Sequence, residues 1–362
     1  MSLCSNPVVT ATDDKTVNEG DIIMSLQAAS FTDKGILDIH NASINWGDGG
    51  VSPGIISEAD GSGTVSGSHI YEDNGEYLVT VTVDDDEGSG SDTFTIIVNN
   101  VAPIVGPGEN QIAAINQEIS IQLPFDDPAG AEDSPYSCEV DWGDETPDEE
   151  CEIEEPTSNG MAIASHMYED KGTFEITITV TDKDGGSGEN TVTVKVGDMV
   201  IDLNEGWNLF SVPKVLEDNN VEVVTDNFIP LDFSLILTYE NAAWTQPETI
   251  ETLKAYWIKM NSPMQLLLTF RDETTCIDGS CIVPEARALD SGWQLIGFTD
   301  TEPLLSTLAL KSIEDSYSQW FGFKNNAWIT HIFSQVPDKA MEPGLGYWVF
   351  MTEPSVLAAL SI

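Results

Sequence analysis

Apolar and polar positions alternate most cleanly at two places in the chain. Val79, Val81 and Val83 interleave with Thr80 and Thr82, and Ile176, Ile178 and Val180 interleave with Thr177 and Thr179. A period of two over such a run predicts a strand with one buried face. Each run closes a longer phrase. Trp46-Gly47-Asp48-Gly49, His69-Ile70-Tyr71 and Gly75-Glu76-Tyr77 lead into the first, and the acidic run Asp84-Asp85-Asp86 follows it. Trp142-Gly143-Asp144, His166-Met167-Tyr168 and Gly172-Thr173-Phe174 lead into the second, which ends in Asp182-Lys183-Asp184-Gly185-Gly186. Trp46 and Trp142 are 96 residues apart, and Tyr71 and Tyr168 are 97 apart. That period is one small domain, not a solenoid repeat. Gly-Asp after each Trp predicts a tight turn between strands. The Trp itself, large and apolar, is predicted to fill a core. Short strands punctuated by turn residues point to an antiparallel β-sandwich.

The ordered set Trp-Gly-Asp-Gly, His-x-Tyr and Gly-x-Tyr-x-Val-Thr-Val resembles the polycystic-kidney-disease-type (PKD) domain, an immunoglobulin-like sandwich. The linker Val98-Asn99-Asn100-Val101-Ala102-Pro103 also resembles the junctions of tandem PKD arrays in microbial surface proteins. The second copy departs from the pattern at Glu145, where the first has Gly49, and in a segment from Cys138 to Cys151 around its turn. The resemblance implies two tandem sandwiches, over residues 6–99 and 100–197. Within that pattern His69 and His166 are expected to be structural, satisfying sandwich backbone. Asp48 and Asp144 are expected to be turn residues.

A second duplication follows residue 197. Gly206-Trp207-Asn208-Leu209 corresponds to Gly292-Trp293-Gln294-Leu295, Asn241-Ala242-Ala243-Trp244 to Asn325-Asn326-Ala327-Trp328, and Tyr256-Trp257-Ile258 to Tyr347-Trp348-Val349. The Asn-x-Ala-Trp pieces predict hairpin turns entering strands, and the Tyr-Trp runs predict strands. Short helices are expected at 221–228 and 304–310. The motif order resembles a duplicated β-rich domain of secreted and archaeal surface proteins, divided here into 198–284 and 285–362. Its repeated aromatics read as core. The competing reading is stacking against sugar rings. The expected fold class is thus mainly β: two tandem sandwiches, then a duplicated β-rich module with a few short helices.

Charge narrows the function classes. The chain carries 13 basic and 62 acidic residues, a formal net charge of −49. Such a field repels nucleic acid and anionic membranes. No run approaches the length of a membrane span, and Met1-Ser2-Leu3 does not read as a signal peptide. Five cysteines cannot all pair within the chain. Cys138 with Cys151, and Cys276 with Cys281, have spacings that suit local disulfides and an oxidising compartment. Free buried thiols are the alternative, and zinc a weaker one. Cys4 is left over, and its role stays open.

Neither a Ser-His-Asp nor a Cys-His set can be read from spacing, so no catalytic residue is assigned. Calcium is the sharpest site expectation, because hard oxygen ligands suit it and Asp-rich loops supply them. Asp33 and Asp85 are the candidates in the first repeat, and Asp127 and Asp182 in the second. Similarity to calcium-binding PKD-like domains of secreted collagenases implies Asn6 and Asn100 as third partners. The alternative is that these residues cap turns and bind nothing. The reading as a whole is a non-enzymatic, extracellular or cell-surface structural or adhesive protein of a microbe, either surface-layer-like or a spacer. Its expected partners are other surface proteins, further copies of itself, or polysaccharide. The alternative is a polysaccharide-binding accessory region of a larger secreted hydrolase.

Overall fold

A computed structural model describes residues 5–35, 38–86, 88–154, 159–226, 228, 232–272, 285–332 and 337–360. Contacts gather these into two compact units. One holds 1–109, 120–166 and 175–192; the other holds 110–119, 167–174 and 193–362. Strand is the dominant element, as the alternation predicts.

The first module is a two-sheet sandwich. One sheet orders Val8–Ala11, Ile22–Thr32, Ser62–Ile70 and Ile55–Ala59. The other orders Lys15–Asn18, Ser89–Asn99, Gly75–Asp84, Asn41–Asn45 and Val51–Pro53. In Gly75–Asp84 the alternation resolves as expected. Val79, Val81 and Val83 are fully buried, and the threonines between them are only partly so. A four-stranded and a five-stranded sheet recur in the second module, where Ile176, Ile178 and Val180 take the buried positions.

The repeated phrase is a packing device. Trp46 and Trp142 are 0% and 1% exposed. The imidazole of His69 stacks on Trp46 at 4.8 Å and an interplanar angle of 4°, and that of His166 on Trp142 at 4.6 Å and 15°. His69 Nε2 pairs with Asp48 Oδ2 at 2.6 Å, and His166 Nε2 with Asp144 Oδ2 at 2.9 Å. Tyr71 donates its hydroxyl hydrogen to the carbonyl of Trp46. Each histidine therefore pairs with a side-chain carboxylate, a partner the sequence reading did not assign to it. Asp48 and Asp144 do more than shape a turn: each anchors a ring lid on the core tryptophan. Gly47 sits at φ 89°, where an added Cβ would lie 2.8 Å from the Leu78 carbonyl.

Glu145 adopts φ 67° where Gly49 has φ 98°. A non-glycine residue in that region costs roughly 1–2 kcal/mol, partly offset in a glycine variant by a looser unfolded chain. Glu145→Gly is expected to raise the stability of the second module by about 0.5–1 kcal/mol. Unchanged or lowered hydrogen-exchange protection of Gly172–Thr181 would show that the side chain makes a compensating contact.

Cys138 and Cys151 are joined in a disulfide with a Cα–Cα distance of 5.3 Å. Closing a chain segment of this length stabilises by about 3 kcal/mol. Peptide mapping of unreduced protein should recover the cross-linked Cys138–Cys151 pair, and alkylation of both thiols without reductant would refute it. Cys276, Cys281 and Cys4 lie outside the described residues.

In the second unit two four-stranded sheets share one strand order. The first orders Gly206–Ser211, Ala255–Met260, Phe233–Glu240 and Ala243–Thr245; the second orders Gly292–Gly297, Gly346–Met351, Tyr317–Lys324 and Ala327–Ile332. Register matches too. Leu209 faces Trp257 and Phe210 faces Tyr256, as Leu295 faces Trp348 and Ile296 faces Tyr347. Tyr256 accepts the backbone N–H of Glu251, and Tyr347 that of Glu342. Both hairpins turn through paired left-handed residues, Asn241-Ala242 and Asn325-Asn326. One face of each sheet covers its own core, with Tyr256 and Ile258 in one and Trp320, Tyr347 and Val349 in the other. The opposite faces meet, with Leu209, Ala255 and Leu295 at the centre. The helices expected at 221–228 and 304–310 are single turns, Val221–Val224 and Ser306–Ala309. In the first, Thr225 bonds back to the Val221 carbonyl with its hydroxyl and closes the turn.

Candidate cation sites of the tandem modules

The second module builds its acidic site from three chain segments. Asp127 follows the strand Glu118–Asp126, Asp133 ends the short 3-10 turn Gly130–Asp133, and Asp182 follows Gly172–Thr181. All three are buried, Asp133 at 0% exposure. One carboxylate oxygen from each lies within 4.8 Å of the others. Asp127 Oδ1 accepts the N–H of Ala129, and Asp182 Oδ1 accepts those of Asp184 and Gly186. Asn100, from the linker, donates its amide to Asp182 Oδ2 at 2.9 Å. Oδ2 of Asp127, Oδ2 of Asp133 and Oδ1 of Asn100 are buried without a hydrogen-bond partner.

A first-module residue reaches the same place. Glu19 is 1% exposed, accepts the backbone N–H of Val101 with one oxygen, and leaves the other buried and unpartnered. Glu19, Asp73 and Asp133 also bring oxygens within 4.8 Å of one another. One cation serves this group among the described residues: Lys183, at 2.7 Å from Asp133, 2.8 Å from Asp73 and 2.7 Å from Asp184. The carboxylates outnumber it, and the electrostatics show it. Burial, then the charges of Asp133 and Asp127, push Glu19 up to about 7. Burial, then Asp133 and Asp182, push Asp127 up to about 6, although backbone hydrogen bonds at Ala129 and Gly130 oppose the shift. Burial disfavours the Lys183 charge, but Asp133, Asp184 and Asp73 outweigh it and hold the lysine protonated.

The first module solves the equivalent problem with its own side chains. Asp33 and Asp85 come together with His40, ligand atoms within 4.8 Å. His40 Nε2 lies 3.3 Å from Asp33 Oδ2, and Nδ1 lies 2.8 Å from Glu58 Oε2. Ser5 donates to Asp33 Oδ1 at 2.7 Å, and Asp85 Oδ1 accepts the N–H of Gly88. Burial would raise Asp33, but hydrogen bonds from Ser5, the Gly35 and Lys34 backbone and His40 overcome it and hold the carboxyl down to about 2. Asn6 donates to the Ser89 carbonyl, and its side chain packs against Gly88.

The structure thus brings Asp33 to Asp85, and Asp127 to Asp182 with Asn100 bonded to the latter. It adds His40, Asp133 and Glu19, which the sequence reading did not place in either site. Asp133 had one faint signal, the acidic stretch before Pro135 with no counterpart in the first repeat. His40 and Glu19 had none, because each flanks a repeated strand at a position where the second copy carries an unrelated residue, Tyr136 and Ile115. The oxygen-only donors around Asp127 suit a hard divalent cation. The imidazole beside Asp33 makes the first site a poorer match.

Residues 4–98 and 100–196 match the profile of the PKD domain. Among curated proteins none matches the chain. A PKD domain of an M14-like peptidase from the Thermoplasmatales archaeon SCGC AB-540-F20 is 24% identical, covering 26% of this chain and 92% of its own, with a TM-score of 0.22. A titin A168–A169 tandem is 14% identical over 54% of this chain and 100% of its own, at a TM-score of 0.33. Drosophila N-cadherin EC1–3 is 16% identical over 54% of this chain and 69% of its own, at 0.21. Each is a likeness to sandwich modules and to nothing further. No helix among the described residues is long and apolar enough to cross a membrane.

Proposed function

We propose that this chain, which belongs to the PKD domain family through its first two modules, is a structural spacer of an extracellular or cell-surface microbial protein, stiffened by calcium where its two sandwiches join. PKD domains are non-catalytic modules typical of extracellular and surface proteins, where they often act as adhesive or spacer regions. The observation that carries the calcium reading is the set of buried oxygens without partners on Asp127, Asp133, Glu19 and Asn100. A buried polar atom without a partner costs about 1–3 kcal/mol, more when charged. Such oxygens in two carboxylate groups that share Asp133, with a single lysine to offset them, fit a cation of hard character. Asp127, Asp133, Asp182 and Asn100 would hold it. Glu19 would tie it to the first module. The disulfide between Cys138 and Cys151 suits the same oxidising, calcium-containing surroundings.

Thermal melting in chelator, calcium, magnesium and sodium chloride at matched ionic strength tests the reading. Calcium at a hundredfold excess over its Kd should add about 2.7 kcal/mol of stability. Magnesium should add less, because it demands octahedral geometry and sheds water reluctantly. Asp127→Asn and Asp182→Asn should erase the calcium response. Asp33→Asn and Asp85→Asn should leave most of it, since His40 and Ser5 already serve the first site. Equal stabilisation by sodium and calcium would reduce both clusters to a solvated acidic face.

The accessory-region alternative has one observation in its favour, the half-exposed Trp244 and Trp328 of the duplicated module. Binding of an oligosaccharide there would favour it over a spacer role.

A further inference from the structure

Sequence reading assigned the repeated aromatics of the C-terminal half to the core. The structure divides them. Trp320 is fully buried, but Trp207, Trp244 and Trp328 are 37%, 50% and 55% exposed. Such large apolar faces, held in contact with one another at a surface, mark an interaction site.

These exposed rings belong to one constellation, made reciprocally by the two repeats. Trp244 packs on Tyr239 of its own hairpin and on Trp348 of the other repeat; Trp328 packs on Phe323 of its own hairpin and on Trp257 of the other. Tyr239 also meets Trp348, and Trp257 meets Phe323. The duplicated sequence therefore places matched indoles from both copies around one concavity of about 450 Å3. Trp207, Trp244, Trp257, Trp328, Trp348 and Phe323 line it, and Leu237 completes the lining.

Three features of this groove select a ligand class. First, its walls stand at steep angles. Trp207 meets Trp257 at 85°, Trp244 meets Trp348 at 76°, and Trp257 meets Trp328 at 65°. Steeply inclined indoles present electron-rich faces at several angles around a compact volume, whereas the C–H face of a sugar ring asks for a coplanar platform. Second, the lining contains no carboxylate, amide or hydroxyl group, and its polar side-chain atoms are indole N–H donors. Most hydroxyls of a sugar would be left unpaired there, while a group with no hydrogen-bonding requirement would lose nothing. Third, residues 200–362 hold 22 acidic and 8 basic residues, so the net field of this half of the chain attracts cations. Lys259 faces Trp207 across the strand pair but is not among the lining residues.

We propose that this groove captures a quaternary ammonium group. A methylated ammonium carries positive charge without N–H donors, presents an apolar surface to the indoles, and gains from ring faces within about 6 Å. The group can be free, as in choline, or borne on a zwitterionic lipid headgroup, and the chemistry at the groove is the same.

Tryptophan fluorescence and calorimetric titration of the full chain with choline chloride test this. The controls are 3,3-dimethylbutan-1-ol, which has the same shape without charge, a cello-oligosaccharide, and phosphatidylcholine vesicles. Choline should bind saturably and at least about tenfold more tightly than the neutral isostere. Trp244→Ala and Trp328→Ala, at half-exposed positions, should each weaken choline by about tenfold while leaving the melting midpoint nearly unchanged. Trp328→Phe, a smaller change, should retain part of the affinity and guards against a misfolded alanine variant. Retention on vesicles that choline displaces would assign the headgroup as a source; choline binding without vesicle retention would assign a free ligand. Equal binding of the neutral isostere, binding of the oligosaccharide in place of choline, no choline binding, or wild-type affinity in both alanine variants would each overturn the proposal.

Discussion

Replacing Trp46 or Trp142 with alanine is expected to destabilise its own module by about 3–5 kcal/mol, the range for deleting a buried aromatic side chain. Both indoles are almost wholly buried. The loss goes beyond apolar area, because other groups are arranged around the ring. Trp46 donates to Ser52 Oγ at 2.9 Å, Trp142 donates to Glu149 Oε2 at 3.2 Å, and each carries a stacked histidine held by an aspartate. Without the indole, His69 loses its platform and Ser52 its donor. Unfolding of a multi-module chain is not two-state, so a single midpoint would mix the modules. Native-state hydrogen exchange separates them. Trp46→Ala should strip protection from Gly75–Asp84 and spare Gly172–Thr181; Trp142→Ala should do the reverse. Little change in either variant would mean that the tryptophans do not organise the sandwiches. His69→Ala, which removes the lid but keeps the indole, should cost clearly less than Trp46→Ala.

That device explains why half the fold was legible in the sequence. Trp, His and Tyr at fixed spacing, followed by an alternating Val-Thr strand, are local statements about which face is buried, and a strand has only two faces to choose between. The duplicated strands and hairpin turns of the C-terminal half were legible for the same reason, since Gly-Trp, Asn-x-Ala-Trp and Tyr-Trp mark a turn and the strands beside it. Exposure of Trp244 and Trp328 was not legible. Alternation predicts a strand with a covered face, but which neighbour covers it depends on the partner sheet. Here the partner is the other repeat, and the two faces meet around Leu209, Ala255 and Leu295 without closing over the outer indoles.

The acidic sites show a similar limit. Asp33, Asp85, Asp127 and Asp182 stand at repeated positions, so the sequence could pair them. Yet the two modules finish the arrangement differently. His40 and Ser5 complete the first, while Asp133 and Glu19 add charge to the second. A repeat in sequence preserves the strands that carry a site more readily than the ligands that loops bring to it.

Without calcium, the stability of the first two modules is expected to fall as pH rises from about 4 to about 7. The sign follows from the direction of the shifts. Asp127 is raised from 3.8 to about 6, and Glu19 from 4.5 to about 7. Each group's folded value lies above its unfolded one, so the native state holds more protons through that window. Stability is then fully present below the unfolded values and is lost as pH climbs through the folded ones. The loss is on the order of 3 kcal/mol for each group, in proportion to its shift. Asp33 works in the opposite sense: its folded value of about 2 lies below the usual 3.8, so its contribution is present above about pH 4 and disappears as pH falls toward 2. The combined contribution of these three groups to the metal-free modules should therefore be greatest near pH 4–5. Calcium should reverse the slope at the upper end, because it displaces the same protons, and its apparent affinity should grow between pH 5 and 7. Denaturant unfolding in chelator across this range, repeated with calcium, measures both limbs. Asp127→Asn and Glu19→Gln should flatten the chelator limb and remove most of the calcium dependence. An unchanged slope in both variants would mean that the burden of charge at the junction lies on other carboxylates, and a calcium effect independent of pH would place the ion elsewhere.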